Sequence, residues 1–401
     1  MTASPPHIVC VPDSFKGSAS AAEAAAALAR GARQVFPAAE VVELPFADGG
    51  EGTLEALLAA WGTEPEEVRV VDAIGRLATA RFGRSADGRT AVIEAAQANG
   101  LPQVSDVELQ PLRADTYGVG LIAAGVLDEV DEILLCIGGS ASTDGGTGLL
   151  RALGARFLDS AGQEVKAGGQ GLADIAAIDA SGLHPRAGQV RWRIAVDVDN
   201  PLTGPRGAAA VFGPQKGATR DDITTLDAGL TQLAQVLSTH LGSGSDADAA
   251  EQLCARAGFG AAGGIPVTMT TLLEAETVPG SQLVAEAVGL AEALAPADLV
   301  LTGEGSLDSQ SLAGKVVDAV LHHTPQGVPV IAVAGTVKLS PAECREAGLA
   351  AAFSIAPGAA SLEDLLTEAE SLIEDTAAHV CALAALGHTS AETSSETRFS
   401  N

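Results

Sequence analysis

The segment Asp48-Gly-Gly-Glu-Gly-Thr-Leu-Glu-Ala-Leu-Leu58 has an echo at Asp144-Gly-Gly-Thr-Gly-Leu-Leu-Arg-Ala-Leu-Gly154, and each copy follows an apolar, strand-like run. Each reads as a strand, a tight glycine turn and the start of a helix. Such units commit a chain to a sheet covered by helices. Glycine in the turn lets φ go positive and opens the backbone N–H groups at the helix start to a ligand, a geometry that suits anions. The aspartate that opens each copy, and Glu51 inside the first, would repel a bare phosphate. A metal-bound phosphate or a polyol fits better, because a hard divalent cation seeks carboxylate oxygens.

The rest of the pattern organises around these turns. His7 to Val11 and Val41 to Phe46 read as strands, and Ala21 to Val35 and Thr53 to Trp61 as helices. From Glu67 the rhythm becomes antiparallel, with short strands at Val68 to Val71, Ala78 to Phe82 and Thr90 to Ala95. A helix follows at Asp115 to Leu127, then strands at Glu132 to Ile137 and Val190 to Val196. Buried-type strands return at Asp298 to Leu301, Val328 to Val333 and Ala350 to Ile355, with a long closing helix at Leu362 to Leu386. The simplest assembly is α/β in two domains. Residues 1–65 and 280–386 make one doubly wound parallel sheet from both chain ends, 66–279 form an inserted domain with a cleft beside it, and 387–401 form a mobile tail. Ligands of open α/β sheets bind at the carboxyl ends of strands, where Asp13, Asp48 and Glu304 fall.

Charge excludes several functions. A net charge of −28 disfavours nucleic acid, which demands a basic face, and anionic membranes equally. No apolar run reaches the roughly 20 residues that cross a bilayer, and no secretory leader pattern is present, so a cytoplasmic protein is expected. The five cysteines are scattered without a C-x-x-C pair, which argues against disulfides and zinc. Lysine is rare. Three of the five abut glycine, at Lys16-Gly17, Lys216-Gly217 and Gly314-Lys315, and rare cations beside flexible turns look placed for function.

Five constellations carry the chemistry. Asp13-Ser14-Phe15-Lys16-Gly17 follows the first strand and offers a carboxylate, a hydroxyl and an ammonium; Ser18 or Ser20 also serves as a helix cap. Asp48-Gly49-Gly50-Glu51-Gly52 carries three glycines that a simple helix cap would not need. The loop from Gly138 and Gly139 through Ser140, Ser142, Thr143 and Asp144 to Gly148 gathers five glycines and four hydroxyls, donors for phosphate or carboxylate oxygens. Asp197 and Asp199 leave a strand on one face by the period of two, followed by Asn200, Arg206 and Lys216. Glu304 and Asp308 sit in a glycine-rich segment that leads to Lys315. Nucleophile-elbow, Walker A, zincin, dinucleotide and protein-kinase signatures are all absent.

Six co-linear motifs, at 12–17, 47–53, 138–148, 197–202, 213–218 and 302–308, together closely resemble the type 1 glycerate kinase family across about residues 8 to 385. The resemblance implies a flavodoxin-like domain built from both termini and an inserted restriction-enzyme-like α/β domain. It also implies ATP-dependent phosphorylation of D-glycerate, with 2-phosphoglycerate the favoured product. Small departures at Cys10, Val11 and Phe46 touch no motif. The alternatives are a kinase for another small hydroxy acid or a non-catalytic, two-lobed ligand-binding protein.

Under that resemblance the site residues take roles. Asp197 is the expected general base with Asp48 as its substitute, and Lys16 and Lys216 supply positive charge to a loose phosphoryl transition state. Mg²⁺ is expected between nucleotide phosphates and the carboxylates of Glu51, Glu304 and Asp308. Asp13, Ser14, Gly49, Gly50, the 138–144 loop, Asn200, Arg206 and Lys216 are the expected binders of phosphate or substrate.

Overall fold

A computed structural model describes residues 5–240 and 247–396. Its chain divides into two compact units, one of residues 1–48, 55–60 and 284–401, the other of 49–54 and 61–283.

The first unit holds a five-stranded parallel sheet, ordered Ala351–Ser354, Val330–Val337, Leu299–Leu307, His7–Pro12, Glu40–Glu43. Numbered within the unit, that order is 2-1-3-4-5, with its reversal between His7–Pro12 and Leu299–Leu307. The central strands are continuous apolar runs because helices cover them. Ile8, Cys10, Leu299, Leu301 and Val333 meet Ala24, Ala27 and Leu28 of helix Ala21–Val35 and Ile373, Ala377 and Val380 of helix Ala369–Glu396. Ser20 starts the first of these helices with a capping box, its hydroxyl accepting from the Glu23 N–H while the Glu23 carboxylate accepts from the Ser20 N–H.

Two local expectations change here. The segment 302–307 is strand rather than a turn, because Val330–Val337 continues to pair with it, through Ser306 opposite Thr336 and Leu307 opposite Val337. Gly303 permits this, since a Cβ there would overlap the Val333 carbonyl oxygen. The closing helix is broken at Glu368, whose backbone is not α-helical, and then runs from Ala369 to Glu396. No proline interrupts that stretch, so each added residue gains a backbone bond past the point where the tail was expected. Residues 397–401 of the expected tail lie outside the described residues.

The second unit holds a six-stranded mixed sheet, ordered Glu276–Val278, Arg191–Ala195, Glu132–Cys136, Thr90–Glu94, Leu77–Arg84, Glu66–Val71. The first four strands are parallel, and the last two join antiparallel. Ile93, Ile133, Leu135, Trp192 and Ile194 anchor its core, with Leu230, Leu233 and Leu237 of the 21-residue helix Arg220–His240.

Candidate active site

The first unit carries a cavity of about 470 Å³ at the carboxyl ends of its strands. Asp13 and Lys16 follow the first strand, Asp48 the second, and Glu304 and Ser306 lie where Leu299–Leu307 has outrun its pairing with His7–Pro12 at Gly303. Thr336 lies near the end of the neighbouring strand Val330–Val337, Lys338 follows that strand directly, and Lys315 opens helix Val316–His323. The position is the reversal point of the strand order, where open α/β sheets leave a crevice for ligands.

Its electrostatics are mixed. Burial, and then the like charge of Asp48, push the Asp13 carboxyl up to about 6, although the Ser14 N–H donates to Asp13 Oδ1 at 2.6 Å. Burial also raises Glu304, with Asp13 adding to it, and Glu304 Oε1 is buried without a hydrogen-bond partner, as is Ser306 Oγ. Asp308 behaves oppositely. The Gln310 N–H and the Lys338 ammonium, 3.3 Å away, hold it below its usual range. The set is one of hard oxygen donors facing three ammonium groups.

A second cavity of about 210 Å³ belongs to the other unit. Gly49, Gly50, Gly138, Gly139 and Ser140 line one side, and Asp197, Phe212, Gln215 and Lys216 another. Gly49 has φ +87°, and its missing Cβ would lie 2.9 Å from the Ala195 Cβ, so both the turn and the packing require glycine. Lys216 is 2 % exposed. Its ammonium donates to Ser140 Oγ at 3.0 Å and to the Ser142 carbonyl, and burial, opposed by the charge of Asp144, brings its pKa down to about 7. Asp197 Oδ1 accepts from the Gly280 N–H at 2.8 Å, which fixes the carboxylate at the cavity edge.

The remaining candidates take other places. Asp144 is fully buried and accepts from Thr116 N–H and Oγ1, the Gly146 and Gly148 N–H groups and Ser142 Oγ. It braces the glycine loop from beneath. Ser142 and Thr143 are buried with it and, like Asp144, do not line the cavity. Asp199 is turned away to Arg206, 2.7 Å distant, because strand pairing ends at Ala195 and the period of two lapses beyond it. Asn200 donates to the Arg206 carbonyl, a turn contact, and neither Asn200 nor Arg206 lines the cavity. Glu51 is exposed, lines neither cavity and belongs to the other unit from Glu304 and Asp308. The helix that follows starts at Thr53, and its Leu54 N–H donates to the buried Glu94.

Sequence reasoning missed Lys338, Thr336 and the leucines at 362, 365 and 366 that border the larger cavity, and it gave Gln215 of the 213–218 motif no role. The lysine signal was stronger than the glycine neighbours alone suggested. Four of the five lysines line the two cavities, Lys166 being the exception.

Comparison with known proteins agrees with this picture. The model of the glycerate kinase family matches residues 8–385. The glycerate kinase of Bacillus subtilis (strain 168) is 43% identical over 385 residues, spanning 95% of this chain and 98% of that protein. The glycerate 2-kinase of Escherichia coli (strain K12) is 38% identical over 382 residues, 95% of this chain and 98% of its own. A crystal structure of a proposed glycerate kinase 2 from Salmonella typhimurium LT2 superposes with a TM-score of 0.85 at 40% identity, over 96% of this chain and 99% of that one. Motifs, strand arrangement and near full-length similarity converge, and the chain belongs to the glycerate kinase family.

Proposed function

We propose that this chain is an enzyme that transfers the γ-phosphoryl group of ATP to D-glycerate, giving 2-phosphoglycerate. The observation that carries the reading is the partition of the rare lysines into two cavities of different chemistry, within a chain that matches glycerate kinases over its length. The larger cavity, with Lys16, Lys315 and Lys338 beside hard carboxylates, suits a nucleotide. The smaller, with Lys216 and the Gly138–Ser140 turn, suits a three-carbon acid. The name of the Escherichia coli relative favours the 2-hydroxyl as acceptor. The first unit is read as flavodoxin-like on its 2-1-3-4-5 strand order, and the second as the inserted restriction-enzyme-like α/β domain. Five free cysteines and the net charge of −28 support a cytoplasmic enzyme that does not bind nucleic acid or anionic membranes.

In this mechanism Lys216 pairs with the glycerate carboxylate, and the turn at Gly138 and Gly139 offers backbone donors to it. Asp197, held by the Gly280 N–H, accepts the hydroxyl proton as the oxygen forms its bond to the γ-phosphorus and the bond to the ADP oxygen breaks. Asp48 is the substitute base. Lys16 and Lys315 offset charge on the phosphoryl oxygens, the main requirement of a loose transition state.

The donor set of the larger cavity fits Mg²⁺. Glu304 Oε1 is buried without a partner, and Asp13 and Asp308 line the same cavity with further hard oxygens. Among the described residues no group of three or more acidic, histidine or cysteine side chains is placed to hold a metal alone. When bound, Mg²⁺ supplies charge neutralisation and alignment of the phosphates.

The test is incubation of the purified chain with ATP and a panel of hydroxy acids, with ADP release followed and the product identified by phosphorus NMR. Release confined to D-glycerate with the phosphate on carbon 2 is expected. Turnover of a different hydroxy acid only, or binding without turnover, would overturn the reading.

A further inference from the structure

The short helix Leu362–Thr367 buries none of its residues. Its leucines at 362, 365 and 366 stand at i, i+3 and i+4, one face of the helix. Leu365 packs against the core of the parallel-sheet unit, whereas Leu362 is 71% exposed and Leu366 37%. All three border the larger cavity, with Ile355 beside them. Ser361 holds the helix start in place by accepting from the Asp364 N–H at 3.1 Å and donating to Asp364 Oδ2 at 2.6 Å. The helix is held by its cap and by Leu365, while Leu362 and Leu366 stay open on the same face.

That face shares a cavity with Lys16, Lys315 and Lys338. A triphosphate and its cation need only the charged side, so the aliphatic side calls for a flat, weakly hydrated portion of the same ligand. A nucleotide has that division, a polyanion at one end and a base at the other. We infer that Leu362, Leu366 and Ile355 form the seat of the nucleobase, which lies against them by its face while the phosphates lie toward the lysines. The inference rests on the reading of this cavity as the nucleotide site. These side chains carry no hydrogen-bonding group, so they recognise the base by apolar contact rather than by its edge.

Calorimetric binding of Mg-ADP and of Mg-tripolyphosphate, which lacks base and ribose, to the full chain tests it. The double substitution Leu362→Ser, Leu366→Ser should weaken ADP by roughly 10–30-fold, the loss expected from withdrawing two leucine contacts, with tripolyphosphate within about twofold of wild type. Unchanged tripolyphosphate binding also certifies that the variant is folded. Unchanged ADP affinity, or equal weakening of both ligands, would overturn the inference. Lys315→Met separates it from the underlying reading. If that variant weakens both ligands while the leucine variant weakens neither, the base seat alone is wrong; if neither variant alters either ligand, the nucleotide reading falls with it.

Discussion

Lys216 gives the most direct access to the chemistry of the smaller cavity. Its ammonium is buried, with Ser140 Oγ and the Ser142 carbonyl as acceptors, and burial lowers its pKa from 10.5 to about 7. Between those values the unfolded chain holds more protons at this site than the folded one, so the lysine's contribution to stability declines as pH falls from 10.5 toward 7. Binding a carboxylate has the opposite sign. It favours the ammonium, raises the pKa and draws a proton from solvent. The acid of glycerate, with an ordinary pKa of about 3.5, stays ionised throughout. If only the charged lysine holds it, the apparent Kd for glycerate rises about tenfold from pH 6 to pH 8 and about tenfold more by pH 9. Calorimetry at pH 8 in buffers of different ionisation enthalpy should then find about 0.9 proton taken up per glycerate bound. Lys216→Met keeps an unbranched apolar stem and removes the ammonium. It should weaken glycerate by roughly 10–100-fold near pH 7, the worth of a charge-assisted hydrogen bond, and abolish the proton uptake. A wild-type Kd that is flat from pH 6 to 9, or a pH dependence that survives in the methionine variant, would refute the assignment.

Three other perturbations discriminate among the remaining roles. Asp197→Asn preserves shape and the Gly280 contact but removes basicity, so kcat should fall by roughly 10²–10⁴-fold, and a loss of only a few-fold in steady-state kinetics would remove Asp197 as the base. Glu304→Gln should cost roughly 10–100-fold in apparent Mg²⁺ affinity, while Glu51→Thr, at an exposed position outside both cavities, should leave Mg²⁺ titrations within about twofold of wild type. The reverse ranking would assign the metal to Glu51 instead. Gly31→Ala tests the packing of the terminal helices, because a Cβ there would overlap the Glu374 carbonyl oxygen and lie 2.8 Å from the Ala377 Cβ. Helix propensity favours alanine by about 1 kcal/mol, but overpacking of about 1–3 kcal/mol should outweigh it, so denaturant unfolding should show a net loss of stability.

Local signals in the chain were enough to specify much of this protein. Apolar runs at His7 to Val11, Glu132 to Ile137 and Val190 to Val196 identified strands, and residues of the glycine and acidic clusters after them line the cavities of the two units. These are short-range facts, since strand length, turn chemistry and helix starts depend on neighbours within a few residues. The rare lysines were legible for the same reason, as composition and adjacency.

Tertiary structure decided which residues share a site. Asp144 and Asp48 open matching motifs, yet one is fully buried and saturated by five donors while the other lines a cavity. Asp199 obeys the strand period on paper but lies beyond the last paired residue, and Glu51 resembles a metal ligand but is exposed outside both cavities. Leu362 and Lys338 carry no motif and reach the larger cavity because five parallel strands end together there. Sequence alone determined the repertoire of chemical groups and the strand ends that bear them. Long-range strand order and burial determined their company, because contacts between residues hundreds of positions apart, such as Val11 with Thr302, are set by sheet assembly and not by local propensity.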